Sequence, residues 1–297
     1  MLTLPNRRRP RRLLQIAYQP DVIHPLRRGI ASGRRPHIIF AGASGTGKTT
    51  TALCLGLEQL CTAAGERPCL VCADCLAFER GSHPAFHLVD CQHHGRKDDI
   101  EFLLEQETGR EPVGASHHYI VLEEADGLSR AAQSGLLVAL QSTTSHRQFV
   151  FTCIDPETLI RPLRDRCRVF RLDLPDHGQA LAFIRQVAVE EDIDIDGPAL
   201  DLLAATCRGY RNLLEILEAA VDLAVGIRID AGFLRRTVLR DRSAILLDYL
   251  SAVASGDIGL QLALLDECEL GATEKVRAIR DILVHLRVHY TGRGVQA

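Results

Sequence analysis

Hydrophobic positions in the first part of the chain come in short continuous runs, and these runs alternate with stretches of helical period. Ile38-Ile39-Phe40-Ala41, entered from His37, is one such run. Phe86-His87-Leu88-Val89-Asp90, His118-Tyr119-Ile120-Val121-Leu122, Phe149-Val150-Phe151-Thr152-Cys153-Ile154 and Val169-Phe170-Arg171-Leu172 are the others. Short runs as apolar as these predict strands covered on both faces. Between them, 50–60, 98–107 and 130–141 repeat at helical spacing, with Leu136, Leu137 and Leu140 on one inner face and Ser129 as a candidate cap. Alternating strands and helices predict an α/β fold with a parallel, doubly wound sheet. After Leu174-Pro175 the pattern turns to helices alone, over 179–190, 198–207 and 212–225. A further helical stretch, 243–290, is broken at Gly256-Asp257 and at Gly271. The expected division is a mixed domain over 1–174, a small helical domain over 175–240 and a short helical segment over 241–297. Pro10 and Pro20 punctuate the opening segment, which predicts loops and one or two short helices, one of them ending over 26–31 before Gly33.

Composition changes this picture little. The hydrophobic fraction is 46% and the mean hydropathy +0.01, as in a soluble globular chain with ample core. No apolar stretch is long enough to span a bilayer, and no signal-type apolar segment follows Arg7 to Arg12. The expectation is a cytoplasmic protein with no membrane partner. Charge is uneven: between Arg7 and Arg35, Asp21 is the only acid. Such a segment either tracks nucleic-acid phosphates or stands as a solvated face.

The chemistry begins at Gly42-Ala43-Ser44-Gly45-Thr46-Gly47-Lys48-Thr49, which fits the phosphate-loop pattern G-x-x-x-x-G-K-[ST] between a strand and a helix. Glycines let backbone N–H groups turn inward, and the following helix presents its positive end, with Thr50 next in line. Lys48 is placed to reach the β- and γ-phosphates of a nucleoside triphosphate, and the Thr49 hydroxyl to ligate Mg²⁺. The alternative is a glycine turn at a strand–helix junction. Downstream, the strand 118–122 ends in Glu123-Glu124-Ala125-Asp126. Acids at the carboxyl end of a buried parallel strand are expected beside the phosphate loop of the neighbouring strand, where one organises Mg²⁺ and the other polarises water. A helix N-terminal charge cluster is the alternative.

The thiols form a third pattern. Cys61, Cys69, Cys72 and Cys75 give C-x7-C-x2-C-x2-C, a spacing that surrounds one zinc ion tetrahedrally in a closed, structural site. A redox C-x-x-C or unpaired thiols is the alternative. His83, His87, Cys91, His93 and His94 make a looser cluster, from which His83 or His87 could replace one thiol.

Taken in order, these motifs resemble the AAA+ subunits of sliding-clamp loaders, along nearly the whole chain. The stretch 34–53 is similar to the small subunits of replication factor C. The four cysteines are similar to the zinc module of the bacterial DNA polymerase III gamma/tau subunit, and Asp155-Pro156 also resembles the bacterial form. Glu123-Glu124-Ala125-Asp126-Gly127-Leu128-Ser129 resembles the family's Walker B segment, and Arg166-Cys167 its Ser-Arg-Cys motif, with Asp165 in place of serine. The resemblance implies an AAA+ P-loop domain, a helical lid and a helical collar, the collar shorter than is usual. It implies ATP, Mg²⁺ and structural zinc as cofactors. The implied partners are other clamp-loader subunits, a sliding clamp and primer–template DNA, at replication sites on the nucleoid. It gives Glu124 the task of orienting the attacking water. Arg166 becomes a finger that completes a neighbour's site in trans, and Arg211 a second sensor in cis. Gln19, Val22 and Ile23 are implied to line the adenine side. Three departures stand out. Glu123 occupies an aspartate's place, Ile154 or Cys153 stands where a polar first sensor is usual, and Arg211 lies one residue closer to its glycine. The implied function is ATP-driven clamp loading. A nucleotide-binding scaffold with little turnover, and another AAA+ motor acting on DNA, are the alternatives.

Overall fold

A computed structural model describes residues 3–238, apart from 17, 113, 142–145 and 225, together with residue 259. Apart from residue 259, the helical segment expected over 241–297 therefore lies outside the described residues.

The elements follow the hydrophobic pattern closely. A one-turn helix α1 (Leu4–Arg7) and a 3-10 turn at Leu13–Gln15 precede α2 (Pro20–Ala31), β1 (His37–Ala41) and α3 (Lys48–Leu60). Then come α4 (Ala73–Glu79), β2 (Phe86–Asp90), α5 (Lys97–Phe102), β3 (His118–Glu123) and α6 (Arg130–Gln141). The mixed region ends with β4 (Arg147–Cys153), α7 (Arg161–Arg164) and β5 (Cys167–Arg171). Among the described residues four helices follow: α8 (His177–Glu190), α9 (Gly197–Ala205), α10 (Tyr210–Leu223) and α11 (Ala231–Thr237). The helix expected to end near Ala31 starts earlier than its hydrophobic tail suggested. Pro20 stands in its first turn, where a missing N–H costs nothing, and Pro25 is carried within it.

The five strands form one sheet in the order β2-β3-β4-β1-β5, and every pairing is parallel. Strand residues alternate between two cores. Ile38, Phe40, Tyr119, Val121 and Val150 share one with α2, α3 and α4. Ile39, Ile120, Leu122, Phe149 and Phe151 share the other with α5 and α6. Each fully buried Phe or Leu contributes roughly 1.5–3 kcal/mol, which explains why both faces of so apolar a sheet are covered. Tyr119 is fully buried and its hydroxyl donates to the Ala52 carbonyl at 2.7 Å, which pins α3 to the sheet.

The chain divides into two compact units. The first holds residues 1–186 and 204–215, with the sheet and its helices. The second takes 187–203 and the chain from 216, where Ile195 and Ile229 form a parallel bridge and Leu203, Leu217 and Leu234 are buried. No helix among the described residues is long and apolar enough to cross a membrane.

Candidate functional site

At the end of β1 the chain turns through Gly42, whose φ of +149° is joined by +81° at Gly45 and +96° at Gly47. A Cβ on Gly42 would lie 2.2 Å from the Leu172 carbonyl oxygen, so only glycine fits beneath β5. Gly47 caps α3 without any side-chain acceptor, which leaves the leading amides of a 13-residue helix available to an anion. The Lys48 ammonium folds back along the loop and donates to the Gly42 and Ala43 carbonyls, at 2.8 Å each. Burial pulls its pKa down, while Cys153, Asp126, Glu124 and Glu123 act against that shift. The Thr49 hydroxyl donates to Glu123 Oε1 at 2.5 Å.

The acids do not lie on the strand next to the loop. β4 separates β1 from β3, and Thr49 at the start of α3 reaches over its end to Glu123. Glu124 adopts a left-handed conformation, φ +52° and ψ +49°, strained for a residue with a Cβ by roughly 1–3 kcal/mol and of a kind that gathers at functional sites. Its N–H donates to the Thr152 hydroxyl at 3.1 Å. The sharp turn separates the two acids, so Glu123 meets Thr49 while both line one cavity. Asp126 fastens this turn to the segment after β4: it accepts from the Ile154 N–H at 2.8 Å and the Thr158 hydroxyl at 3.1 Å. Ile154 is 64% exposed at the cavity rim and Cys153 is buried. The hydroxyl on this strand end thus comes from Thr152, which the first-sensor alignment passed over. Its signal was a lone polar residue inside an otherwise apolar run.

A single cavity of about 290 Å³, within the first unit, joins the loop residues 44–50 to Glu123, Glu124, Asp126, Thr152 and Arg211. Gly42 and Ala43 stand behind it, with their carbonyls on Lys48. Its far wall differs from the expected one. Gln19, Val22 and Ile23 are not among the residues lining it. Gln19 donates to the Asp173 carbonyl at 2.8 Å, and Val22 and Ile23 are buried in the core. Residues of the 5–16 segment, including Arg9, Pro10 and Ile16, form that wall instead.

The basic run therefore has several tasks. Arg9 Nε approaches the Thr50 hydroxyl at 3.4 Å, and burial, with Arg211 nearby, lowers its pKa against the pull of Glu123. Arg11 pairs with Glu79 at 3.2 Å and Arg12 with Glu66 at 2.7 Å. The segment is held by Leu13, fully buried, whose N–H donates to the buried Glu58 carboxylate at 3.2 Å. Arg166 lies outside the cavity, exposed just beyond α7, where its guanidinium donates to the Pro162 carbonyl at 2.7 Å.

The thiols of Cys61, Cys69, Cys72 and Cys75 lie within 4.8 Å of one another. Cys61 ends α3 and Cys75 lies in the first turn of α4. Between them Leu70, at φ +65°, bends the chain. Backbone N–H groups of Cys69, Cys72 and Cys75 point at the sulfurs of Cys61, Cys69 and Cys72 at 3.3–3.4 Å. Such donors stabilise thiolates, and four sulfurs this close fit a tetrahedral ion such as zinc. Neither histidine joins them. His83 faces Asp74 at 3.6 Å and accepts from the Ala85 N–H, while His87 meets His118 at 3.0 Å.

The family described as DNA polymerase III, delta subunit, matches residues 18–176. The replication factor C small subunit of Picrophilus torridus is 29% identical over 71% of this chain and 61% of its own length. The DNA polymerase III subunit tau/gamma of Haemophilus influenzae is 27% identical over 72% of this chain and 32% of its own length. The chain thus spans between about a third and three fifths of these relatives. The Thermotoga maritima RuvB Holliday junction branch migration motor superposes with a TM-score of 0.58 at 19% identity, covering 83% of this chain and 80% of that one. At that identity it shares the fold, an AAA+ P-loop architecture. The chain belongs to the DNA polymerase III delta-subunit family of AAA+ clamp-loader proteins.

Proposed function

We propose that the chain is an ATP-binding and hydrolysing subunit of a sliding-clamp loader, which opens a ring clamp and places it on primer–template DNA. The observation that carries this is the convergence of Lys48, Thr49, Glu123, Glu124 and Arg211 on one cavity, with Arg166 displayed on the surface outside it. Lys48 gives up the Gly42 and Ala43 carbonyls for phosphate oxygens. Arg9 and Arg211 add positive charge. Thr49 and Glu123 hold Mg²⁺, which when bound neutralises the charge on the phosphates. Glu124 orients the attacking water and takes its proton as the new P–O bond forms and the β,γ-bridging bond breaks. Arg166 stabilises that charge in a neighbouring subunit's site, residues 175–240 serve as the lid and 241–297 as the collar. Substitution Glu124→Gln is expected to reduce turnover about a hundredfold or more, by removing the base, while ATP binding persists. Unchanged turnover would remove Glu124 from the reaction.

A scaffold that binds ATP and turns it over slowly is the second reading. It rests on Ile154, which cannot hydrogen-bond through its side chain where a first sensor is usual. Thr152 weighs against it, because its hydroxyl holds Glu124 in place.

Zinc in the four-thiol site is structural in this reading, closing the loop between α3 and α4. A chelator is expected to release about one zinc per chain and to lower the melting temperature. A purified chain with no bound metal and an unchanged melting curve would refute the assignment.

A further inference from the structure

The cavity wall formed by the 5–16 segment is fastened from behind. Arg9, Pro10, Gln15 and Ile16 line the cavity, whereas Arg11, Arg12 and Leu13 are not among its lining residues. Those three engage the region of the four thiols. Arg11 pairs at 3.2 Å with Glu79, the last residue of α4, and Arg12 pairs at 2.7 Å with Glu66, between Cys61 and Cys69. Leu13 is fully buried in a core that it shares with Cys61, Cys75 and Phe78, and Cys69, Cys72 and Ile16 pack against that core. The N–H groups of Arg11 and Arg12 donate to Gln15 Oε1 at 2.9 and 3.1 Å. Residues gripped from outside thus hold a residue of the wall. Helix α3 adds anchors of its own: the Cys54 thiol donates to the Pro10 carbonyl at 3.2 Å, and Glu58 accepts from the Leu13 N–H. The segment 61–75 is closed on itself where the Thr62 hydroxyl donates to Asp74 at 2.5 Å. No disulfide joins its four thiols, so a bound ion is what ties them together.

We propose that the four-thiol module positions the 5–16 wall, so that metal bound at Cys61, Cys69, Cys72 and Cys75 raises the affinity of the cavity for its nucleotide. The inference rests on the nucleotide reading of the cavity. The two ion pairs are exposed and individually weak, so the larger share of the coupling runs through the core that takes Leu13. When the ion leaves, Cys61 and Cys75 lose the tie that keeps that core closed, and the wall loosens with it.

The test pairs metal removal with Glu66→Arg. The Glu66 side chain is 73% exposed and the residue is not among those lining the cavity, so the substitution breaks the Arg12 pair without reaching the core or the ligand. It also adds positive charge, which through its long-range field alone would tighten binding of a polyanion. Two readouts are taken on the full chain, zinc-loaded and chelated: ATP binding by calorimetry, and amide hydrogen exchange over 5–16 by mass spectrometry. Chelation is expected to weaken ATP binding about tenfold and to speed exchange over 5–16. Glu66→Arg, with zinc still bound, is expected to weaken ATP binding about threefold, and adding Arg12→Glu to restore it. ATP affinity indifferent to chelation, or equal or tighter in zinc-loaded Glu66→Arg, would overturn the inference, as would a chain that takes up no zinc. If the metal-free chain unfolds, the Glu66→Arg arm decides, because it keeps its ion. Zinc-dependent protection of 5–16 in a wild type that binds no ATP would instead overturn the nucleotide reading and uphold the anchoring.

Discussion

Gly42 stands where β1 gives way to the phosphate loop, and the Leu172 carbonyl passes 2.2 Å from the position its Cβ would take. At a φ of +149° the backbone is also one that side chains rarely adopt. Gly42→Ala is therefore expected to destabilise the fold by roughly 2–4 kcal/mol in urea unfolding, through backbone displacement, and to abolish nucleotide binding. A loss below about 0.5 kcal/mol, the size of an ordinary surface change, would show that the contact relaxes freely. The loop was legible in the sequence because its residues are consecutive and each type has one local task. Thr152 and Arg9 were not. Their roles come from contacts with Glu124 and Thr50, 28 and 41 positions away, and no local pattern encodes such a partner. Val22 and Ile23 show the converse: apolar residues suit an adenine pocket and a core equally, and packing assigned them to the core.

At the level of elements, the strands were legible because a parallel sheet covered on both faces demands unbroken apolar runs. Their spatial order was not, so β3, which ends in the two acids, proved to be two places from β1 and not beside it. The Cys-rich segment also folds its own short helix, α4, capped by the Cys72 sulfur, which accepts from the Cys75 N–H. The sheet carries a consequence for pH. His37 at the start of β1 accepts from the Phe149 N–H through Nδ1 at 3.1 Å, and burial pushes its pKa down to about 4. His117, before β3, is likewise pushed down to about 4 by burial, with Arg35 nearby. A histidine whose pKa falls on folding binds its proton more readily in the unfolded chain. Stability therefore rises with pH between about 4 and 6.5, and is lost as pH falls through that window. Urea midpoints are expected to drop steadily from pH 7 to pH 4.5, and a flat profile would mean these rings are solvated.

For the whole molecule, the basic opening segment is the largest revision. As a sequence it was a candidate for DNA phosphates. In the fold, Arg9 lines the cavity that also holds Lys48, while Arg11 and Arg12 pair with Glu79 and Glu66. The last two pairs are exposed and each is worth about 1 kcal/mol or less, so the buried Leu13 is the main anchor. In the proposed reading Arg166 acts beyond a single chain. It is exposed and its guanidinium contacts only a backbone carbonyl among the hydrogen bonds described, which suits a group that acts on a neighbouring subunit. The most direct test is the steady-state ATPase of the loader complex reconstituted with this chain, with and without clamp and primer–template DNA, for wild type and Arg166→Ala. The account predicts that clamp and DNA together stimulate turnover, and that Arg166→Ala lowers it by about a thousandfold while this chain still binds ATP. Turnover indifferent to clamp and DNA, and unchanged by Arg166→Ala, would contradict it.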